Sequence, residues 1–175
     1  DTDGLGDGAE DKDRDREVGP GETDPRRSDT DGDGIADGSE TKLYGTDPSQ
    51  SDSDGDGLSD GLELALVGDA DPLTSTDPRR ADSDGDQLDD GVEDANRDGA
   101  VSSDETHPRL SDSDADGIAD DVELRLGTNP LAVDSDGDWV SDAEEVGSDP
   151  EAAQDFDGDE LIDALDDDSD DDGED

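Results

Sequence analysis

One twelve-residue pattern recurs along the chain and limits its fold more than any other feature of the sequence. The pattern is D-x-D-x-D-G-Φ-x-D-x-x-E, where Φ is an apolar residue. Six full-length copies occur, at residues 29–40, 52–63, 82–93, 112–123, 134–145 and 155–166. Gln87, Trp139 and Glu160 replace the glycine at position 6 in three of them, and the last copy ends in aspartate. Acidic residues at this fixed spacing indicate metal-binding loops, whereas an unphased acidic run is typical of a solvated tail.

The composition excludes a conventional hydrophobic core. The chain has 175 residues, of which 61 are acidic and 11 basic, and its formal net charge is −50. Leu, Ile, Val and Phe together number 26, about 15 per cent, which is below the roughly 20 per cent at which a highly charged chain is expected to be disordered. However, 47 of the 61 acidic residues lie in candidate loops. The charge is therefore organised, and we expect cation binding to supply the folding energy.

Four further segments follow the pattern in a partial or variant form. Residues 1–10 fit it if positions 1 and 2 lie upstream, and residues 168–173 fit its opening half, which suggests that the chain is a piece of a longer protein. Residues 94–105 match an EF-hand loop, with acidic or amide residues at positions 1, 3, 5 and 12 and glycine at position 6. Residues 11–22 match it with Arg16 in place of that glycine.

Prolines occur at a constant distance before the loops. Five prolines each precede an opening aspartate by four residues: Pro25, Pro48, Pro78, Pro108 and Pro130. From Asp29 onward the opening aspartates are separated by 23, 30, 30, 22 and 21 residues. The 30-residue intervals hold either an EF-type loop or an insertion around residues 69–72. A period of this size predicts one tandem array over residues 1–175, in which each repeat packs on its neighbours.

Each loop is expected to run into a short helix. Two sets of apolar residues are spaced i, i+4, i+8, namely Ile118, Val122, Leu126 and Leu58, Leu62, Leu66. Each set predicts two helical turns with one narrow apolar stripe. Gly127 is placed to end the helix of the first set, and Gly45 is placed to end the helix that follows the loop 29–40. Such helices are marginal in water without another source of stability. The predicted fold class is an irregular calcium-stabilised tandem repeat array, with little hydrophobic core and little or no β-sheet.

The spacing of the carboxylates builds an all-oxygen cage. Side chains at positions 1, 3 and 5 of a tight loop converge on one point, the carbonyl oxygen at position 7 adds a ligand, and the acidic residue at position 12 closes the shell. Calcium accepts this geometry, whereas magnesium requires a tighter octahedron. The chain has no cysteine and one histidine, so it lacks the softer ligands that transition metals prefer. The predicted cofactor is Ca²⁺, at about one or two ions per loop.

Every loop contributes a predicted ligand set. In the six full-length loops the ligands at positions 1, 3, 5, 7 and 12 are Asp29, Asp31, Asp33, Ile35, Glu40, Asp52, Asp54, Asp56, Leu58, Glu63, Asp82, Asp84, Asp86, Leu88, Glu93, Asp112, Asp114, Asp116, Ile118, Glu123, Asp134, Asp136, Asp138, Val140, Glu145, Asp155, Asp157, Asp159, Leu161 and Asp166. In the partial loop 1–10 and the two EF-type loops they are Asp1, Asp3, Leu5, Glu10, Asp11, Asp13, Asp15, Glu22, Asp94, Asn96, Asp98, Ala100 and Glu105.

The string D-x-D-x-D-G-x-x-D-x-x-[DE], in tandem and followed by G-T-D-P at 45–48, resembles thrombospondin type 3 repeats. It is particularly similar to the cysteine-free bacterial form found in secreted and cell-surface proteins. The resemblance covers nearly the whole chain and implies a calcium-dependent rod that serves as a spacer or scaffold outside a bacterial cell. It also implies that the aspartate at position 9 acts through water or on a second ion. These residues are Asp7, Asp37, Asp60, Asp90, Asp120, Asp142 and Asp163.

Two function classes fit such an array. The first is a calcium-stiffened stalk, spacer or filament element of a surface or secreted protein, because weak sites of roughly 10⁻⁴ to 10⁻³ M are filled in extracellular calcium. The second is a calcium-dependent adhesion or assembly module that binds another cell-surface protein or self-associates. We favour the stalk, because the repeats offer no sizeable apolar patch beyond their stripes. A cytosolic sensor fits less well, because nothing resembles paired, Met-rich EF-hands. No enzyme activity is expected, since the carboxylate pairs stand in metal-ligand spacing.

The charge and aromatic content exclude two other partner classes. With a net charge of −50 and one residue each of Trp, Tyr and Phe, the chain lacks the basic patches and stacking surfaces that nucleic acids and anionic membranes require. No apolar run approaches the roughly 18 residues of a membrane span, so no membrane insertion is expected.

Four features other than the predicted ligands carry simpler expectations. His107 stands where an aspartate stands before other prolines, so we interpret it as a spacer variant rather than a catalytic base. Trp139 is expected to cap the apolar stripe of a neighbouring repeat. The pairs 26–27 and 79–80, all arginine, are expected to neutralise local acidic groups.

Overall fold

The structure is a computed structural model that describes residues 3–68, 70–71, 73–150 and 153–169. The predicted ligand Asp1, most of the last partial loop (170–173) and two positions of the insertion, 69 and 72, lie outside the described residues.

Short helices and no β-strand occur in the described part of the chain. The α-helices are α1 (Asp7–Glu10), α2 (Asp37–Ser39), α3 (Asp60–Glu63), α4 (Asp90–Glu93), α5 (Asp120–Leu126) and α6 (Asp142–Val146). A π-helical turn, Glu40–Tyr44, continues α2, and a 3₁₀ turn, Asp163–Leu165, follows the last full-length loop. All the α-helices and the 3₁₀ turn begin at position 9 of a loop, so the predicted fold class of loops followed by short helices is confirmed.

The two predicted apolar stripes have different outcomes. Helix α5 carries Val122 and Leu126 and ends at Gly127, whose left-handed φ of 95° closes the helix as predicted. Helix α3 ends at Glu63, so the expected second turn through Leu66 is wrong. Ala65 takes a left-handed φ of 56°, and the chain turns back so that Leu66 is 51% exposed. A non-glycine residue in this conformation interrupts the helical hydrogen bonds.

Contacts divide the chain into two units. Unit 1 holds residues 1–83 and 89–101, and unit 2 holds residues 84–88 and 102–175. The full-length loop 82–93 and the EF-type loop 94–105 therefore each contribute residues to both units.

Carboxylates, rather than apolar side chains, fill most of the buried interior. Five apolar residues in the described part of the chain are buried: Ile35, Leu58, Ile118, Val146 and Ala164. The same part of the chain buries 18 aspartates and glutamates, and the largest fully buried side chains are all acidic. The apolar cluster of unit 2 joins Ile118, Val146 and Ala164. Such a core is too small to stabilise a chain of this length by burial alone.

In unit 1, consecutive repeats meet through the same pair of positions. A Cβ at Gly61, position 10 of its loop, would lie 2.1 Å from the carbonyl oxygen of Asp33, position 5 of the preceding loop. A Cβ at Gly91 would lie 2.4 Å from the carbonyl oxygen of Asp56. The first contact spans a 23-residue interval and the second a 30-residue interval. The register between repeats is therefore the same whether or not an insertion lies between them.

The insertion packs on the neighbouring EF-type loop within unit 1. The backbone N–H of Ala70 donates to the carbonyl oxygen of Asp98 at 2.8 Å, and the Thr74 hydroxyl donates to the carbonyl oxygen of Gly99. The additional residues of the two long intervals thus contact one another.

Trp139 does not cap a neighbouring stripe, because its side chain is 93% exposed. It stands at position 6 with a left-handed φ of 82°, a conformation that directs its side chain away from the loop. Of the helices described here, none is long and apolar enough to cross a lipid bilayer.

Candidate metal centres

Backbone N–H groups orient the three aspartates that open each loop. In the loop 52–63, the two oxygens of Asp52 accept from the N–H groups of Gly55 (2.7 Å) and Gly57 (3.0 Å). Asp54 Oδ1 accepts from the Asp56 N–H at 3.4 Å, and Asp56 Oδ1 accepts from the Leu58 N–H at 2.7 Å. These bonds hold both oxygens of Asp52, and one oxygen each of Asp54 and Asp56, against the backbone. Asp54 Oδ2 is left buried without a hydrogen-bond partner.

The same bonding pattern recurs in the other full-length loops. The position-3 aspartates bond the N–H of position 5, and the position-5 aspartates bond the N–H of position 7, in the pairs Asp31–Asp33, Asp84–Asp86, Asp114–Asp116, Asp136–Asp138, Asp157–Asp159, Asp33–Ile35, Asp86–Leu88, Asp116–Ile118, Asp138–Val140 and Asp159–Leu161. The position-1 residues Asp29, Asp112, Asp134 and Asp155 each accept from positions 4 and 6. In the loops 29–40 and 52–63 the predicted ligands at positions 1, 3 and 5 lie close enough together to hold one ion, as the groups Asp29, Asp31, Asp33 and Asp52, Asp54, Asp56 show.

We call the carboxylates at positions 1, 3 and 5 of one loop its loop cluster. In five of the six full-length loops the second oxygen of the position-3 aspartate is buried without a hydrogen-bond partner, namely in Asp31, Asp54, Asp84, Asp114 and Asp136. One oxygen of the position-12 glutamate is likewise buried and unpartnered in Glu10, Glu40, Glu63, Glu123 and Glu145. A buried carboxylate oxygen without a donor is costly. A cation at the centre of the cluster removes this cost.

A second kind of cluster lies between consecutive repeats. Asp33 and Glu40, at positions 5 and 12 of one loop, lie with Asp60, at position 9 of the next, so that their carboxylate oxygens are within 4.8 Å of one another. All three side chains are buried. Asp3, Glu10 and Asp37 form the same arrangement one repeat earlier. We call such a trio a junction cluster.

Asp37 and Asp60 thus reach the preceding repeat rather than their own loop centre alone. Asp37, Asp60, Asp90, Asp120 and Asp142 are each 0% exposed, and Asp163 is 7% exposed. The sequence alone leaves open whether such a residue acts through water or on a second ion. Its place beside positions 5 and 12 of the preceding loop favours a second ion.

Burial and mutual repulsion raise the pKa of the clustered acids. Burial, together with repulsion from Asp54 and Asp56, raises the pKa of Glu63 to about 9. For the same two reasons the pKa of Glu40, Glu123 and Glu145 rises to about 8. In unit 2 the repelling groups include the next repeat's position-9 residue, Asp142 for Glu123 and Asp163 for Glu145. These glutamates hold a proton near neutral pH unless a cation replaces it.

Threonines after the helices bond the other oxygen of the position-12 glutamate. Thr46 donates to Glu40 Oε1 at 3.2 Å, and Thr76 donates to Glu63 Oε1 at 3.0 Å. Thr128 lies 3.5 Å from Glu123 Oε1. Sequence reasoning missed these residues. The signal was present, since each threonine stands two residues before a proline.

Hydroxyl residues at position 2 bond the position-9 aspartate in a recurring network that sequence reasoning also missed. Ser53 donates from its N–H to Asp60 Oδ1 at 2.8 Å and from its hydroxyl to Asp60 Oδ2 at 2.6 Å. Position 2 is Thr30, Ser53, Ser83, Ser113 or Ser135 in five of the six full-length loops and Phe156 in the sixth. That regularity was the available signal.

The EF-type loops differ from the others. In the loop 11–22, Asp11, Asp13 and Asp15 form a largely exposed group. Glu22 Oε1 accepts from the Lys12 N–H at 2.7 Å, and Glu22 Oε2 accepts from the Gly19 N–H at 3.0 Å. These backbone bonds lower the pKa of Glu22. Glu22 thus closes the loop through backbone hydrogen bonds, and the roles of Asp11, Asp13, Asp15 and Glu22 as ligands stay predictions.

The second EF-type loop is divided between the units. In unit 1, Asp94 accepts from the N–H groups of Asp98 (3.2 Å) and Gly99 (2.8 Å), and Asp98 accepts from the Ala100 N–H at 2.9 Å. Glu105 belongs to unit 2, where it accepts from the Ser102 N–H at 3.1 Å. Its role as the ligand at position 12 stays a prediction, as does that of Asn96.

The donor set fits calcium. Every cluster described above consists of carboxylate oxygens, which are hard ligands. The role of the backbone carbonyls at position 7, such as those of Ile35 and Leu58, stays a prediction. Several of the oxygens are buried without partners, a state that a dehydrated divalent cation resolves. Asp33, Glu40 and Asp60 would then hold one ion between two repeats, while Asp31 would face the ion of its own loop.

Comparison with known proteins supports this chemistry. The family model for the bacterial TSP3 repeat matches the chain three times, at residues 29–51, 52–68 and 112–132. No curated protein matches the chain. The matched segments contain three complete copies of the twelve-residue pattern together with their helices.

Proposed function

The three matched segments are bacterial TSP3 repeats, and on this premise we propose that the chain is a calcium-stiffened stalk, spacer or scaffold element of an extracellular bacterial protein. Membership of this repeat family supports a calcium-binding region. The junction cluster of Asp33, Glu40 and Asp60 is the observation that carries the proposal. These side chains are 5%, 0% and 0% exposed, and among the described residues no basic side chain pairs with any of them.

An ion at a junction cluster links two repeats directly. Because positions 5 and 12 belong to one loop and position 9 to the next, the ion fixes the second repeat against the first. Each ion also offsets the repulsion of a chain with a net charge of −50. Calcium binding then supplies the stability that the five buried apolar residues of the described part cannot. An array fixed in this way resists bending at each junction.

The proposed location follows from the affinity expected of such sites. Repeat loops of extracellular modules bind calcium at roughly 10⁻⁴ to 10⁻³ M. Sites of that strength fill in extracellular calcium and stay empty in the cytosol, so the array is rigid only outside the cell.

A matched pair of adjacent glutamates tests the proposal. Glu145 is buried at position 12, whereas its neighbour Glu144 is exposed. Native mass spectrometry and calorimetry of the whole chain should count fewer bound or weaker calcium ions in Glu145→Gln and an unchanged count in Glu144→Gln. Addition of a chelator to the unmodified chain should reduce helical circular dichroism and increase the radius of gyration in small-angle scattering. Identical profiles with and without chelator would reject the proposal.

One observation favours a second candidate function, a calcium-dependent adhesion or assembly module. Trp139 and Phe156, two of the three aromatic residues of the chain, are 93% and 75% exposed. Exposed aromatic residues are enriched in protein interfaces. Analytical ultracentrifugation of the calcium-loaded chain distinguishes the two functions. Association that Trp139→Ser with Phe156→Ser abolishes would favour assembly, whereas a monomer at all concentrations would favour the stalk.

A further inference from the structure

The serine or threonine at position 2 makes the same three hydrogen bonds in four full-length loops. Its backbone N–H donates to Oδ1 of the position-9 aspartate, its hydroxyl donates to Oδ2, and its hydroxyl oxygen accepts from a backbone N–H upstream. The residues are Thr30, Ser53, Ser113 and Ser135, with donor–acceptor distances of 2.6 to 2.9 Å. Ser83 makes the first and third contacts, at 2.7 and 3.1 Å.

These contacts determine where the position-9 carboxylate points. Asp60 has one oxygen bonded by the Ser53 N–H and the other by the Ser53 hydroxyl, so its plane is fixed by two donors from one residue. The backbone N–H of Asp60 donates in turn to the Ser51 carbonyl oxygen at 3.0 Å. The Asp60 carboxylate lies within 4.8 Å of the carboxylates of Asp33 and Glu40 of the preceding repeat. The network thus orients a carboxylate toward a junction cluster.

The third contact connects the network to the segment before the loop. The hydroxyl of Ser53 accepts from the N–H of Asp47, and the hydroxyl of Ser113 accepts from the N–H of His107. Each donor precedes a proline by one residue. The fixed spacing between proline and loop therefore places this N–H within reach of position 2.

We propose that the position-2 hydroxyls are positioning residues for the junction clusters, and that they set the affinity of these sites for a divalent cation. The hydroxyl touches no ion. It holds the position-9 carboxylate in the orientation that the preceding repeat's acids require, as the outer partners of metal ligands do elsewhere. This inference rests on the proposed function, because it requires cations at the junctions.

The last full-length loop provides an internal comparison. Phe156 stands at position 2, and its N–H donates to Asp163 Oδ1 at 2.8 Å. Phenylalanine has no hydroxyl for the second oxygen, and Asp163 is 7% exposed, whereas the position-9 residues opposite Ser or Thr are 0% exposed. Asp163 lies close to Glu145, position 12 of the preceding loop. The junction before Asp163 is therefore expected to bind calcium more weakly than the others.

A hydroxyl introduced at residue 156 tests the inference, because it should increase the affinity of the junction for calcium. In the whole chain, Phe156→Ser and Phe156→Thr should strengthen calcium binding at this junction by about 10-fold or more, the scale on which outer partners affect metal affinity. Phe156→Ala is the matched control, because it removes the ring without supplying a donor. Trp139 directly follows Asp138 and is the only tryptophan, so its fluorescence reports a calcium titration of this junction. Equal affinities for the serine and alanine variants would overturn the inference.

A loss-of-function series provides the second test. Ser53→Ala should weaken calcium binding at Asp33, Glu40 and Asp60 by about 10- to 100-fold, and Ser53→Thr should retain it, because Thr30 fills the same role. Ser51→Ala is the control, since only its backbone carbonyl joins the network. Calorimetry of the whole chain measures all variants. Unchanged binding by Ser53→Ala would overturn the inference alone, whereas absence of calcium binding by the unmodified chain would overturn the proposed function.

Discussion

The loops 52–63 and 155–166 share the aspartates at positions 1, 3, 5 and 9, yet only the first is buried. Asp56 and Leu58, at positions 5 and 7, are 9% and 4% exposed, whereas Asp159 is exposed and Leu161 is 39% exposed. Both loops form the same backbone-to-carboxylate hydrogen bonds. The sequence of a loop therefore determines its internal geometry, but not its burial.

The neighbouring repeat accounts for the difference. In the first loop, Asp56 Oδ2 accepts from the Gly91 N–H of the next repeat at 3.1 Å. The described residues after the last loop do not include a helix that would cover Leu161 in the same way. A loop cluster thus becomes a closed cage when the following repeat packs on it. If the neighbouring repeat causes this difference in burial, four changes to the protein or its conditions should affect the two loops unequally.

Calcium removal should have the largest effect on stability. The loss should be greater in the buried loop 52–63 than in the loop 155–166. Calcium at about 100-fold its dissociation constant stabilises the state that binds it by about 2.7 kcal/mol. The loop 52–63 contains a loop cluster and also supplies Asp60 to a junction cluster. Hydrogen exchange of the whole chain, with calcium and with chelator, should therefore show a large loss of protection at residues 52–63. The loss at residues 155–166 should be smaller. An equal change in both loops would contradict the role of the neighbouring repeat.

Acidic pH should partly replace calcium. The pKa of Glu63 is raised to about 9 and that of Glu40 to about 8, from an ordinary value of 4.5. Between these values the folded state binds more protons than the unfolded state, so the free energy of unfolding falls as pH rises. In chelator, the chain should be most compact near pH 4.5 and should expand up to about pH 8 to 9. Small-angle scattering across this range measures the change.

Glu63→Gln provides the control for the pH experiment. The amide cannot ionise, so the variant should expand less between pH 4.5 and 9 than the unmodified chain in the same chelator. Expansion that is identical in both proteins would show that the buried glutamate does not govern the transition.

Gly91→Ala should weaken the contact between repeats. The added Cβ would lie 2.4 Å from the Asp56 carbonyl oxygen, so the helix must move away, at a cost of about 1 to 3 kcal/mol. Gly8→Ala is the matched control, because Gly8 also occupies position 10 and a Cβ there meets nothing within 4 Å. Denaturant unfolding in calcium compares the two. A loss of stability from Gly8→Ala equal to that from Gly91→Ala would contradict the proposed contact.

Glu160→Gly should have the smallest effect and should make the last loop more like the buried one. Glu160 holds a left-handed φ of 82°, where Gly57 holds 103° in the loop 52–63. Relief of this strain gains about 1 kcal/mol or more, and the greater freedom of glycine in the unfolded chain offsets roughly 0.5 to 1 kcal/mol of it. A net stabilisation of a few tenths is expected in thermal unfolding. Glu160→Ala, which removes the charge and keeps the strain, should show no such gain.

Features internal to one loop could be predicted from the sequence. The loop starts, the inward aspartates and the helix that ends at Gly127 all depend on residues within about twelve positions of one another. Local spacing determines such features, because an aspartate can bond only the backbone that its short side chain reaches. The three repeats that the family model matches contain these local features in full.

Features that depend on a second repeat could not be predicted. The position-9 residue Asp60 meets Asp33 and Glu40 because two repeats pack in one register, and no spacing within a loop encodes that register. The second turn predicted through Leu66 fails for a related reason, since the chain must turn toward the next repeat. The expectation that Trp139 caps an apolar stripe was wrong. It rested on the usual burial of tryptophan, whereas the side chain at position 6 is exposed.

The 23-residue and 30-residue intervals of unit 1 bring the same two positions together, and this has a practical consequence for anyone who wishes to modify the chain. The number of residues between one helix and the following proline can change without altering the register between repeats. The number of residues within a loop is the same in all six full-length copies. A peptide tag, a fluorophore site or a short binding epitope inserted near residue 73 should leave the junctions intact. This segment is then a site at which a foreign sequence can be inserted without changing which positions of consecutive repeats meet.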